Sequence, residues 1–90
     1  MRMPSVSAFF GIVIYMYWRD HAPPHFHAHY GGHEALIVIR TGDVIAGNIP
    51  IKAKRIVKDW AAERQVELLK NWEHGQRREP FEKVPGADVE

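Results

Sequence analysis

The feature that most constrains the fold is an alternating stretch that is interrupted by two adjacent glycines. In His25–Tyr30 histidines alternate with aromatic or small side chains, and residues 34–40 are rich in isoleucine and valine. Gly31-Gly32 supplies the positive φ angles that a two-residue hairpin turn requires. The sequence therefore predicts an antiparallel β-hairpin with its register set by the glycine pair.

This register assigns each histidine of the hairpin to a face. Successive side chains of a strand point to opposite faces, so His25, His27 and His29 share one of them. Glu34 lies on the same face, directly across from His29, whereas His33 falls on the other face. We expect the imidazoles of His25 and His27 to lie side by side and to point away from the packed interior.

Two further strands and two helices complete the prediction. Residues 9–18 are almost all aromatic or β-branched, which is typical of a strand, and residues 44–49 form a short strand after a turn at residues 41–43. Apolar residues then recur every three or four positions, which predicts helices over residues 50–63 and 66–77. We predict an α+β fold in which a four-stranded antiparallel sheet is followed by two C-terminal helices packed on one face.

The length of 90 residues suits one small domain. We assign residues 1–78 to a single α+β domain and residues 79–90, with their prolines and alternating charges, to an extended or disordered tail. The longest apolar run, over residues 8–18, is shorter than the ~20 residues of a membrane span. The absence of cysteine excludes disulfides and thiolate metal ligands. We expect a soluble, cytoplasmic protein.

The net charge is close to zero, so the chain has no overall field that would draw it to nucleic acid or to a membrane. Twelve basic and eleven acidic residues give a formal charge of +1. Lys52, Lys54, Arg55 and Lys58 nevertheless crowd the start of the first predicted helix, where the helix dipole favours anions. Of these, Lys54, Arg55 and Lys58 are candidates for binding phosphate or the carboxylates of a partner. The alternative is a solvated helix face without a function.

The histidine-rich stretch is a candidate metal site. Same-face residues of a strand are ~6.6 Å apart, a spacing that allows the imidazoles of His25 and His27 to converge on one ion. A third ligand would come from Asp20 or His21 in the proline-stiffened loop, or from Glu34. Two histidines and one carboxylate are the ligand set of many zinc and non-haem iron sites. We therefore consider a divalent metal of the zinc or iron class, bound by His25, His27 and Asp20.

Several motifs of the chain are similar to those of a known family. They are Pro4-Ser5-Val6-Ser7 leading to Phe10-Gly11-Ile12, Asp20-His21-x-Pro23-Pro24-His25-Phe26-His27-Ala28, Tyr30-Gly31-Gly32, Trp60-Ala61 and Asn71-Trp72-Glu73. Over about residues 3–83 the chain resembles the small bacterial domains of unknown function numbered 4160, which are sometimes labelled transcriptional regulators.

The resemblance implies a short bacterial cytoplasmic protein. Such proteins are often encoded beside another small domain, in an arrangement that looks like a toxin–antitoxin or regulatory pair. His29 and His33 lie outside the family motif. The motif positions that carry over to this chain are Asp20, His21, Pro23, Pro24, His25 and His27.

The first functional hypothesis is a non-enzymatic binding module of such a pair. Its partner-facing surface would include His25, His27, Tyr15 and Tyr17, because the two tyrosines on the outer face of the first predicted strand adjoin the histidines. The first and third predicted strands are apolar on both faces, which indicates that a second copy or a partner protein covers one of them. The partner would be a protein encoded nearby, a second copy in a homodimer, or both.

The rival hypothesis is an enzyme, either a small RNA-cleaving enzyme or a metal-dependent hydrolase. His25 and His27 would be metal ligands or a general acid and base, and Asp20 would orient one imidazole. Asp20-His21 is a second candidate acid–base couple. The basic residues of the first helix would hold phosphate. A third hypothesis is a DNA-binding regulator that uses the same basic helix start.

Overall fold

The computed structural model describes residues 5–89 and contains an antiparallel sheet followed by two helices. Pro4, which begins the first family motif, and Glu90, which ends the predicted tail, lie outside the described residues. The strands follow one another across the sheet in chain order, each pairing with the next. The elements are β1 Ser5–Phe9, β2 Ile12–Tyr15, β3 His25–Tyr30, β4 His33–Val38, β5 Val44–Gly47, α1 Ile51–Glu63 and α2 Gln65–Gln76.

Within residues 5–89 the sheet has five strands, and the prediction of four was wrong. The apolar run predicted as one strand over residues 9–18 instead contains a tight turn at Phe10-Gly11, where φ is 50° and 77°. This turn pairs β1 with β2, so that Phe9 lies opposite Ile12. Phe10 adopts a left-handed conformation that aromatic residues rarely take, so its residue type did not indicate a turn. Gly11 was therefore the one turn signal at this position of the sequence.

The predicted β3–β4 hairpin is confirmed in its turn and in its register. Gly31 and Gly32 have φ angles of 53° and 82°. Cα pairs run from Tyr30 opposite His33 to His25 opposite Val38, as the glycine turn requires. His29 therefore faces Glu34, and His33 lies on the other face of the hairpin.

The core lies between one face of the sheet and α1. Phe26 and Ala28 of β3 are fully buried on this face. The ring of Trp60 on α1 lies 5.7 Å from that of Phe26 and 4.9 Å from that of Phe9, measured between ring centroids. The buried residues that α1 contributes are Ala53, Val57, Trp60 and Ala61.

The second face of the sheet is half-buried, and it is called the open sheet face below. Its side chains alternate along β2, β3 and β4 with those of the core face. The open sheet face is formed by Val13, Tyr15, His27, His29, Leu36 and Val38.

The prediction of two helices with a break between them is confirmed. Arg64 separates α1 from α2 and has a φ of −107°, outside the helical range. α2 packs Leu68 into the core. Within residues 5–89, neither helix combines the length and the apolar character that crossing a membrane requires.

Residues 79–86 have no regular secondary structure, yet they pack against the domain. The amide of Val84 donates to the carbonyl of Val6 at 2.8 Å, and the indole of Trp60 donates to the carbonyl of Pro85 at 2.8 Å. The buried side chain of Asn71 bonds both backbone groups of Glu82, each at 2.8 Å. The sequence prediction of an extended or disordered tail did not anticipate these contacts.

Candidate metal centre

Three potential ligand atoms meet where β3 begins. Nε2 of His25 lies 3.0 Å from Oδ2 of Asp20, and Nε2 of His27 lies 3.2 Å from the same oxygen. The three atoms are all within 4.8 Å of one another. The two imidazole centroids are 5.3 Å apart, so the rings are side by side as the strand alternation predicted. We call these three residues the ligand cluster.

His25 is buried, and the prediction that its ring points away from the packed interior was wrong. Its side chain is 0% exposed, whereas those of Asp20 and His27 are 15% and 13% exposed. The ring of Trp72 on α2 lies 5.3 Å from the His25 ring. Strand alternation correctly separated His25 from Phe26, but it does not reveal that a helix and a loop cover this end of the sheet.

The loop between β2 and β3 carries Asp20 and is held on both sides. The last turn of α2 contacts it twice, because the amide of Arg19 donates to the carbonyl of Gly75 at 3.1 Å and the side chain of Gln76 donates to the carbonyl of Asp20 at 3.0 Å. The amide of Ile39 donates to the carbonyl of Pro24 at 3.0 Å. The loop is thereby fixed to both α2 and the chain beyond β4.

The buried imidazole of His25 has one well-placed partner. Its Nδ1 lies 2.7 Å from the carbonyl oxygen of Pro23. A carbonyl only accepts hydrogen bonds, so Nδ1 carries the proton and Nε2 faces the ligand cluster. Although Oδ2 of Asp20 lies 3.0 Å away, Nε2 of His25 is a buried nitrogen without a hydrogen-bond partner among residues 5–89.

His27 is arranged in the same way, with a carboxylate in place of the carbonyl. Its Nδ1 lies 2.9 Å from Oε2 of Glu34, and its Nε2 faces Asp20. The same oxygen of Glu34 lies 3.2 Å from Nε2 of His29. The other oxygen of Asp20, Oδ1, accepts from the backbone amide of His21 at 3.0 Å, which leaves Oδ2 for the ligand cluster.

Hydrogen bonds hold both carboxylates in their ionised form. Burial raises the pKa of Asp20, but the hydrogen bond with His27, the His21 amide and the nearby imidazoles together outweigh it and lower that pKa below its ordinary value. The hydrogen bond with His27 likewise lowers the pKa of Glu34, against the effect of burial and with the help of His29.

Two tyrosines lie against the histidines of the open sheet face. The ring of Tyr17 meets His27 edge-on at 4.5 Å between centroids, and that of Tyr15 meets His29 at 4.7 Å. Burial raises the pKa of Tyr17, and the charges of Glu34, Tyr15 and Asp20 add to the effect. Tyr17 therefore stays a neutral hydroxyl group beside the ligand cluster.

The structure places the remaining predicted site residues elsewhere. The side chain of His21 is 82% exposed, although its ring lies 5.5 Å from that of His25. Lys58 packs its side chain beside Gly42 in the turn before β5. Within residues 5–89, no hydrogen bond or ion pair joins Lys54, Arg55 or Lys58 to the ligand cluster.

The sequence reasoning missed Trp72 as a neighbour of the ligand cluster, and it placed Glu34 beside His29 but not beside His27. Trp72 was predicted only as part of the apolar stripe of the second helix, although it belongs to the Asn71-Trp72-Glu73 motif. Glu34 was considered across from His29, whereas the structure also joins it diagonally to His27. Diagonal neighbours on adjacent strands are close enough for long side chains to meet, so this contact was within reach of the predicted register.

The comparisons with known proteins identify a matching family, but no individual protein or solved structure. A family model described as a domain of unknown function (DUF4160) matches residues 11–73. This range includes β2 to β5, the loop that carries Asp20, and Trp72. No curated protein and no solved structure matches the chain.

Proposed function

The chain belongs to the family of the domain of unknown function DUF4160, and we propose that it binds one divalent transition-metal ion through Asp20, His25 and His27. The ion is of the zinc or iron class, because two imidazoles and one carboxylate suit those metals. Three protein ligands leave at least one position for water or a substrate, as in catalytic zinc sites. A metal-dependent hydrolase is the activity that fits this ligand set best.

The observation that carries the proposal is the position of each imidazole between two acceptors. His25 lies between the carbonyl of Pro23 and the carboxylate of Asp20, and His27 lies between two carboxylates. Nδ1 of each ring is satisfied by Pro23 or Glu34, so both Nε2 atoms face Oδ2 of Asp20 and are available to one ion. Among residues 5–89, Nε2 of His25 has no hydrogen-bond partner, and a bound ion would stabilise this buried nitrogen.

The outer hydrogen bonds also match those of a metal centre. A histidine that binds a metal usually donates its other N–H to a carbonyl or a carboxylate, which fixes the tautomer and the ring orientation. Pro23 does this for His25, and Glu34 does it for His27. The partial exposure of Asp20 and His27 leaves one side of the cluster open to solvent and to a small substrate.

Replacing Asp20 with asparagine is expected to weaken metal binding by at least about 100-fold, more than the loss of an outer partner causes. The amide keeps the shape of the side chain but removes the charge. Protein purified without a histidine tag and stripped with a chelator is titrated with Zn²⁺ or Co²⁺, and the wild type should bind one ion per chain. Circular dichroism verifies that the variant is folded.

His33→Ala is the matched control, because His33 is exposed and lies on the other face of the hairpin. It should bind the ion as the wild type does. A wild type that takes up no metal, or an Asp20→Asn variant that binds it with unchanged affinity, would contradict the proposed function.

The open sheet face supports a second candidate function, a binding module in a two-protein regulatory pair. Val13, Leu36 and Val38 place apolar side chains on this face, and Tyr15 lies beside them. A second copy of the chain or a protein encoded nearby would bury this surface. His25 takes no part, because its ring is buried within the domain.

Replacing Leu36 with glutamate is expected to abolish this association. The mass is measured by light scattering after size-exclusion chromatography. The wild type should have twice the chain mass of 10.4 kDa, or a larger mass when it is co-expressed with the protein encoded nearby. The Leu36→Glu variant should have the mass of a single chain. Val66→Glu is the control, because Val66 is an exposed apolar residue of α2. A wild type that is monomeric with and without the neighbouring protein would rule this candidate out.

A further inference from the structure

We infer that Glu34 is a positioning residue of the metal centre, which orients His27 and strengthens its bond to the ion. This inference rests on the proposed metal-binding function. Glu34 does not belong to the ligand cluster, and it acts through Nδ1 of His27. The effect is expected in the affinity for the metal and in the tautomer of one imidazole.

The contact between Glu34 and His27 joins two strands. Glu34 lies on β4 directly opposite His29, and its carboxylate reaches diagonally to Nδ1 of His27 at 2.9 Å. A carboxylate accepts a hydrogen bond and never donates one when ionised, so it keeps the proton of His27 on Nδ1. Nε2, which lies 3.2 Å from Oδ2 of Asp20, is then the nitrogen of His27 that can bind the ion.

His29 holds Glu34 in the orientation that this contact needs. Its Nε2 lies 3.2 Å from Oε2 of Glu34, the same oxygen that contacts His27. The side chain of Glu34 is 44% exposed, and an exposed carboxylate would otherwise be free to turn into solvent. His29, which lies outside the family motif, therefore supports Glu34 and is a secondary contributor.

The two imidazoles of the centre are unequal as a result. His25 donates to a backbone carbonyl, which no substitution removes, whereas His27 donates to a charged side chain. A charged acceptor makes the ring a stronger donor to a metal than a neutral one does. Glu34 is thus the position at which the strength of the centre can be changed without altering a ligand.

Glu34→Ala is expected to weaken zinc binding about 10–100-fold, the usual effect of removing an outer-shell partner. Glu34→Gln should recover part of this loss, because the amide oxygen still accepts from Nδ1 but carries no charge. His29→Ala should have the smallest effect of the three. Affinity is measured by competition between a chromophoric chelator and the untagged protein for Zn²⁺.

Nitrogen NMR of the imidazoles measures the His27 tautomer, which would not change if Glu34 had only a structural role. In the stripped wild type, Nδ1 of His27 should carry a proton, and in Glu34→Ala the proton should shift towards Nε2, which still faces Asp20. His25 should remain on Nδ1 in both proteins, because its acceptor is unchanged.

The outcomes separate this inference from the proposed function. A wild type that binds no zinc overturns both. A wild type that binds zinc, together with a Glu34→Ala variant of equal affinity, overturns the role of Glu34 alone. A variant with lower unfolding stability but an unchanged affinity and His27 tautomer also overturns it, since Glu34 would then only join two strands.

Discussion

Replacing Phe26 with alanine is expected to lower the free energy of unfolding by about 3–5 kcal/mol, the usual cost of removing a buried aromatic side chain. Phe26 is 0% exposed and meets the ring of Trp60 nearly at right angles. Its loss would leave a cavity between the sheet and α1, because neighbours in a close-packed core relax only in part.

The same substitution tests how far the ligand cluster depends on the core. Phe26 lies between His25 and His27 on β3, so it holds the strand from the face opposite to the imidazoles. We expect the folded fraction of Phe26→Ala to bind Zn²⁺ more weakly than the wild type does. Urea denaturation measures the stability of the stripped protein, and zinc titration below the transition measures the affinity.

Ile51→Ala is the control for this experiment. Ile51 is an apolar residue that stands exposed at the start of α1, and its truncation should change the stability by no more than about 0.5 kcal/mol. A loss below about 1 kcal/mol for Phe26→Ala would show that Phe26 does not anchor β3 to the core.

The part of the fold that could be predicted is the part in which the residue types themselves determine the backbone conformation and the strand register. The Gly31-Gly32 pair marks a turn, and the alternation on either side of it leaves one register in which both faces are consistent. The turn at Phe10 and Gly11 lacks such a pair and lies within a continuous apolar run. One glycine in a run of strand-forming residues was too weak a signal, and one strand was lost from the prediction.

The contacts of the C-terminal segment could not be predicted for a different reason. The hydrogen bonds of Val84 and Pro85 use backbone amide and carbonyl groups, which every sequence contains. The side chain of Val84 also lies in the core, but one apolar residue among prolines and charges forms no periodic pattern. Asn71 is buried in α2 and bonds the backbone of Glu82. Nothing in the sequence indicated that Asn71 is buried or that Glu82 is its partner.

In the candidate site, too, some features follow from the local sequence and others from tertiary packing. Strand spacing brought His25 and His27 together, and the proline-stiffened loop made Asp20 a candidate third ligand. The burial of His25 depends on Trp72, which is far away in sequence and arrives through the packing of α2. Local periodicity therefore identified the candidate ligands, whereas tertiary packing decided which of them is shielded from solvent and which remains accessible.

Metal binding and folding should be coupled in this domain, because the ligand cluster joins several elements. The loop with Asp20 is tied to α2, and His27 is tied through Glu34 to β4. An ion that binds only the folded state adds about 2.7 kcal/mol to its stability when the free metal exceeds the dissociation constant 100-fold. Substitutions that move Glu34 should therefore reduce both the stability and the affinity.

Gly47→Ala is such a substitution, and it is expected to lower the free energy of unfolding by about 2–5 kcal/mol. Gly47 lies opposite Ala35 near the register shift between β4 and β5, with a φ of 67°. A methyl group there would overlap the backbone carbonyl oxygen of Glu34, which also accepts from the amide of Asn48 at 2.9 Å. Left-handed strain contributes roughly 1–2 kcal/mol, and the overlap roughly 1–3 kcal/mol.

Gly32→Ala separates these two contributions. Gly32 has a φ of 82°, yet a methyl group at this position meets no atom of the described residues within 4 Å. Its loss of stability in urea denaturation should therefore be limited to the left-handed strain of roughly 1–2 kcal/mol. Gly47→Ala should exceed it and should also weaken zinc binding, since relieving the overlap displaces the backbone of Glu34. Equal losses for the two variants would mean that β4 and β5 separate at little cost at this position, and that Glu34 is not held by its backbone.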